Sequence, residues 1–120
     1  MKGQATLLRD LLERDGWRVA RQLDDLEWWA DELWEVRSVW SPEGFPAWVT
    51  FLVDPESCAP RPKGSRVWAV SASLSTPRTA AEAQALILVP IRDRHLPTVV
   101  SALRAARAAH RAAQLSSGYP

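Results

Sequence analysis

The chain has 120 residues, 47% of them apolar and 24% charged, with a net charge of +1 and one cysteine, Cys58. That is the composition of a single globular domain with a core of its own. It excludes an intrachain disulfide, and no run approaches the roughly 20 apolar residues of a membrane span.

Charge is unevenly placed. Residues 1–60 hold six Lys/Arg against twelve Asp/Glu, and residues 61–120 hold nine against two. The expectation is that an acidic hairpin and a basic C-terminal helix lie near each other, or pair across a homodimer. Arg9, Asp10, Glu13 and Arg14 interrupt any apolar segment near the start, so no secretory signal is expected and the default location is cytoplasmic.

In chain order, residues 5–14 read as a helix, with Leu7, Leu8, Leu11 and Leu12 on one stripe and Gly16 as its stop. Residues 17–23 alternate and read as a short strand, with Trp17, Val19, Arg21 and Leu23 on one side. Val19, Leu23, Leu26, Ala30 and Leu33 also fit a helical period. An all-helical 5–33 would make the following hairpin the wing of a winged helix. Residues 24–31 read as a loop or a single helical turn.

Leu33 to Trp40 gives the clearest strand pattern. Trp34, Val36, Ser38 and Trp40 take one face, and Leu33, Glu35, Arg37 and Val39 the other. Residues 41–46 carry turn chemistry in Pro42 and Gly44. Residues 47–53 form the partner strand, apolar on both faces and therefore central. A Pro-rich loop over 54–65 contains Cys58, and residues 66–74 are the next strand. Thr79 and Glu82 have capping-box spacing. Residues 85–89 read as a last strand, placed at an edge by Pro90. A helix from about 96 to 115 presents Leu96, Val99, Val100, Leu103, Ala106 and His110 as its apolar stripe. The fold class that follows is α+β. A mostly antiparallel meander sheet of four to five strands carries the N- and C-terminal helices on one face, as a two-layer sandwich. Residues 1–120 form one domain, with 116–120 as a disordered tail.

No motif for catalysis, nucleotide or cofactor binding is present, and His95 and His110 have no metal-ligand spacing. Cys58 has no flanking signature of a nucleophile. Arg104, Arg107 and Arg111 recur at i, i+3, i+7 and could contact phosphates, but the acidic segment before them in the chain argues against nucleic acid. The carboxylates Glu27, Asp31, Glu32, Glu35, Asp54 and Glu56 read as a solvated acidic face.

What stands out is tryptophan. Five of the seven lie between residues 28 and 48, interleaved with Asp31, Glu32, Glu35 and Glu43. Trp34 and Trp40 share a strand face with Val36, as a core strand needs. Adjacent residues on an extended chain point to opposite sides, so Trp28 and Trp29 cannot both enter one core. One of them is then an exposed contact residue. The leading expectation is a non-catalytic protein-interaction or self-associating module, with neither cofactor nor metal. Its contact surface would draw on Trp28, Trp29, Trp34, Trp40, Glu35 and Arg37. A small-ligand protein or minor enzyme with a tryptophan-lined pocket for a cationic or polyhydroxylated molecule is the alternative.

Overall fold

A computed structural model describes residues 2–53 and 67–117, with residues 2, 25, 26 and 117 described by their backbone alone. Helix α1 (Lys2–Arg14) leads into strands β1 (Trp17–Glu27), β2 (Ala30–Ser38), β3 (Pro46–Val53) and β4 (Val67–Ser73). A one-turn helix α2 (Ala80–Ala83), strand β5 (Ile87–Pro90), a 3-10 turn (Asp93–His95) and helix α3 (Leu96–Ser117) complete the chain. The five strands lie in the order β1-β2-β3-β4-β5, each antiparallel to its neighbour. The expected α+β meander with two terminal helices is the observed architecture. The central place expected for residues 47–53 is that of β3.

Both long helices cover one face of the sheet. From α1 come Leu8 and Leu12, and from α3 Leu96, Val99, Val100 and Leu103. They bury Trp17, Trp34, Val36, Val49, Phe51, Val70, Ala72 and Val89. Spacings of three and four residues put each helix's set on one stripe, and alternation puts the strand set on one face. Within this layer Trp34 meets Phe51 edge to face at 4.8 Å between centroids.

The opposite face is partly covered too. Trp29, Ala30, Leu52, Ala69 and Ala83 form a second small cluster under α2, with Ala80 against it. The side chain of Thr79 accepts from the backbone N–H of Glu82, so the predicted capping signal does mark this helix start.

Three expectations need correction. Residues 17–33 are not helical, and 24–31 are not a loop: β1 runs to Glu27, Trp28 and Trp29 make a two-residue turn, and β2 begins at Ala30. Cross-strand pairing outweighs the weak helical periodicity, with two irregularities in register absorbed along β1. Trp40 is not a core strand residue. β2 ends at Ser38, where the Ser38 hydroxyl donates to the Trp40 carbonyl and Gly44 N–H closes back on Ser38. Finally, Asp31, Glu32 and Glu35 are buried, not part of a solvated face. The C-terminal helix continues through Ser117; residues 118–120, and the 54–66 segment with Cys58, lie outside the described residues.

Both sheet edges are poor templates for another strand. β5 has four residues and ends at Pro90. β1 exposes Arg18, Arg21 and Asp24 and carries both register irregularities. Charges, bulges and proline blunt edge pairing. No helix among the described residues is long and apolar enough to cross a membrane.

Candidate functional site

The six candidate surface residues occupy four separate places. Trp28 is 70% exposed at the β1–β2 tip. Trp29, its neighbour in the turn, is 6% exposed and anchors the second cluster, with its carbonyl accepting from Val53 N–H at 2.9 Å. The expectation that one of the pair is core and the other exposed describes this turn. Trp34, counted among surface candidates, is 1% exposed and belongs to the core between sheet and helices. Trp40 lies at the far end of β2, on the order of 30 Å from Trp28 by strand rise. Glu35 and Arg37 sit midway, on the face away from α1 and α3.

Around the hairpin tip, Trp28, Trp29, Leu52, Val53, Trp68, Ala80 and Gln84 line a pocket of about 80 Å³. Trp68 is 42% exposed. A register shift between Leu52 and Val53, opposite Ala69 and Val67, leaves Trp68 as the extra residue that faces this pocket. Three of the seven tryptophans therefore converge here, although residues 28 and 68 are far apart in sequence. Apart from the indole N–H groups, the Gln84 amide is the one polar side chain among the described residues that line the pocket.

Trp28 and Trp29 are unusual turn residues. A two-residue hairpin turn favours Gly, Asn or Asp, which accept the backbone twist the strands require. Two tryptophans in that turn satisfy no local backbone preference. One of them instead fills the second cluster, and the other is held out in solvent.

Glu35 is chemically busy but structurally explained. It accepts from Arg21 across the β1–β2 pair at 2.8 Å and pairs with Arg37, two residues along the same face, at 3.0 Å. Its carboxyl is held below the usual 4.5, chiefly by the Arg21 hydrogen bond, with burial opposing and Arg37 adding to the effect. A carboxylate with a lowered folded pKa contributes stability above the unfolded value and loses it as pH falls through the folded one. Glu35→Gln is therefore expected to lose less stability than the wild type between about pH 5 and 3. Urea unfolding at a series of pH values measures this, and equal acid slopes would remove Glu35 from the acid response.

Sequence reasoning missed the other tryptophan site altogether. Arg107 is 5% exposed, its guanidinium 4.6 Å from the Trp17 ring centroid and 5.1 Å from that of Trp40. It donates to the Asp15 carbonyl at 2.9 Å, to Asp15 Oδ2 at 3.3 Å and to Ser38 Oγ at 3.1 Å. Asp15 also accepts from Trp17 Nε1 at 3.1 Å and from Arg104 Nε at 2.8 Å. Burial pulls the Arg107 pKa below the ordinary arginine value, Asp15 opposes this, and Arg104 adds to the lowering. Gly16 is required beside it. Its φ is +80°, and a Cβ there would clash with the Trp40 ring. The signal in the sequence was spacing: Leu96, Val100, Leu103 and Arg107 fall at i, i+4, i+7, i+11 on one stripe. Of the three arginines in the expected phosphate-contacting row, Arg107 is buried and Arg104 pairs with Asp15 from the surface. The basic helix pairs with Asp15 and reaches the hairpin at Ser38 and Trp40, away from the hairpin's carboxylates.

Among the described residues, no three His, Cys, Asp or Glu side chains come together in a way that could hold a metal ion. No protein-family model matches the chain, nor does any curated protein or any solved structure.

Proposed function

We propose that this chain is a non-catalytic protein-binding module whose contact surface is centred on the β1–β2 hairpin tip. The observation that carries this reading is the Trp28-Trp29 turn, with Trp28 held 70% exposed beside Trp68. Solvent-exposed tryptophan in a turn that prefers small polar residues opposes local structure, and such local conflicts belong at functional sites. Trp is also the residue most enriched among energetically dominant interface positions. The blunted edges of β1 and β5 favour a side-chain contact over extension of the sheet. A pocket of about 80 Å³ suits one protruding side chain better than an enclosed small molecule, whose sites run to about 300–1,000 Å³. A reducing compartment such as the cytoplasm suits a chain with one cysteine.

Site-specific photo-crosslinking tests this. A photoreactive residue placed at position 28 is expected to give a discrete protein adduct, with a partner or a second copy, that Trp68→Ala weakens. The same residue at position 111, on the exposed surface of α3, should give none. Equal, diffuse labelling from both positions would sink the proposal.

A further inference from the structure

Between α1 and α3 lies a second concavity, an open groove of about 210 Å³. Leu11, Pro97 and Val100 give it an apolar lining, and Arg14, Asp15, Ser101 and Arg104 a polar one. Helical spacing explains the set. Leu11 and Arg14 are one turn apart on α1, and Pro97, Val100, Ser101 and Arg104 follow at i, i+3, i+4, i+7 on α3. Among the described residues Asp15 is the one carboxylate that lines the groove, and both its oxygens are taken. Oδ1 accepts from Arg104, and Oδ2 from Trp17 and Arg107. Three arginines thus stand against one carboxylate. Arg104 spends its Nε on Asp15 and its side chain is 59% exposed, which leaves its two terminal nitrogens available. Arg14 is exposed and makes no hydrogen bond or ion pair among the described residues. The Leu11, Leu12 and Glu13 carbonyls at the end of α1 would repel an anion, but they accept from the backbone N–H groups of Asp15 and Gly16.

We infer that this groove binds a small organic anion, an oxyanion head on a short apolar stem. The inference is independent of the hairpin-tip surface and goes beyond it. Guanidinium N–H groups match the oxygens of a carboxylate or a phosphate and form charge-assisted hydrogen bonds with them. The head belongs between Arg14 and Arg104, beside the Ser101 hydroxyl. The stem lies on Leu11, Pro97 and Val100, where it leaves water. A cation would meet the arginines with repulsion, and a neutral molecule would gain only the apolar lining. The volume falls below the roughly 300–1,000 Å³ of drug-sized ligand sites and suits a short-chain acid or ester. Because the two arginines come from different helices, a ligand held by both ties α1 to α3 and stabilises the fold by mass action.

Titration of the full-length, isotope-labelled protein, followed by NMR, tests this. The probes are butyrate and butyl phosphate. Butyramide serves as the uncharged control, and acetate and inorganic phosphate as heads without a stem. Saturable shifts are expected in the backbone amides of residues 11–15 and 100–104, with the Trp28 and Trp68 indole signals stationary. The preferred anion should bind at least about fivefold more tightly than butyramide, as two exposed charge pairs allow. It should also exceed its own stemless head at least about threefold. Whether butyrate or butyl phosphate binds more tightly assigns the head as carboxylate or phosphate. The preferred anion should raise the melting temperature of the wild type, and the double variant Arg14→Ala, Arg104→Ala should lose both that rise and the preference over butyramide. Both side chains are exposed, so the unliganded double variant is expected to unfold cooperatively as the wild type does. Equal binding of butyramide, equal binding of the stemless head, an unchanged preference in the double variant, or no saturable shift with either anion would overturn the inference. So would shifts no larger in the groove than at the exposed Arg92 and Arg94, which would mark unspecific ion pairing. None of these results bears on the position-28 crosslink, so the groove and the hairpin-tip surface stand or fall separately.

Discussion

Arg107→Ala is expected to destabilise the fold by about 3–5 kcal/mol, as loss of one member of a buried charge pair does. The alanine would leave the Asp15 carboxylate and carbonyl and the Ser38 hydroxyl without their shared donor. It would also empty the space between the Trp17 and Trp40 rings. Arg104 cannot substitute, since it reaches the other oxygen of Asp15 from a largely exposed position. Arg104→Ala is correspondingly expected to cost no more than about 1 kcal/mol. Arg107→Lys should fall between the two: it keeps the charge but loses the planar fork and the ring stacking. Urea unfolding with an unchanged m-value gives the comparison. A cost for Arg107→Ala as small as that for Arg104→Ala would show that the cluster does not hold α3 to the sheet.

Trp34→Ala is expected to cost about 3–5 kcal/mol, whereas Trp28→Ala should stay within about 0.5 kcal/mol of the wild type. Both remove the same side chain from the same hairpin, so the difference reports position. Trp34 packs edge-on against Phe51 under the ring-facing guanidinium of Arg9, and truncation leaves a cavity between two rigid layers. Among the described residues its buried indole N–H has no hydrogen-bond acceptor. Trp34→Phe thus gives up ring volume without orphaning a partner and is expected to cost clearly less than Trp34→Ala. At Trp17, where the N–H donates to Asp15, no such relief exists. Thermal and urea unfolding of the variants decides the matter. If Trp28→Ala proves as damaging as Trp34→Ala, the exposed indole is structural and the contact surface loses its centre.

The layered plan was legible because it rests on periodicity. The leucines of α1, the alternation of β2 and the apolar run of β3 each identify an element and its buried side, and Pro90 identifies an edge. The β1–β2 hairpin was not legible, because a Trp-Trp turn carries none of the glycine or asparagine signals by which tight turns are read. Without that turn, residues 24–31 have no reason to be strand. The placement of Glu35 beside Arg37 was readable from their two-residue spacing. Its pairing with Arg21 required the register, which an irregularity at residue 20 obscures. Arg107 was misread for a chemical reason. Arginine on an alanine-rich helix ordinarily faces water, so its alignment with Leu96, Val100 and Leu103 carried no expectation of burial. The convergence of Trp68 on the hairpin tip depends on a bulge opposite Leu52 and Val53, which nothing local in the sequence announces.

The meander has a bearing on how the chain comes to be folded during its synthesis. Every strand pairs with its immediate neighbour in sequence, so the sheet can zip together through short loop closures as the chain emerges. The contact between Arg107 and the Asp15 carbonyl spans 92 residues and waits for the last helix. Until α3 arrives, the layer formed by Trp17, Trp34 and Phe51 lacks the leucines and valines that complete it. The C-terminal helix is thus the closing element, and its arginine joins the end of the chain back to its beginning.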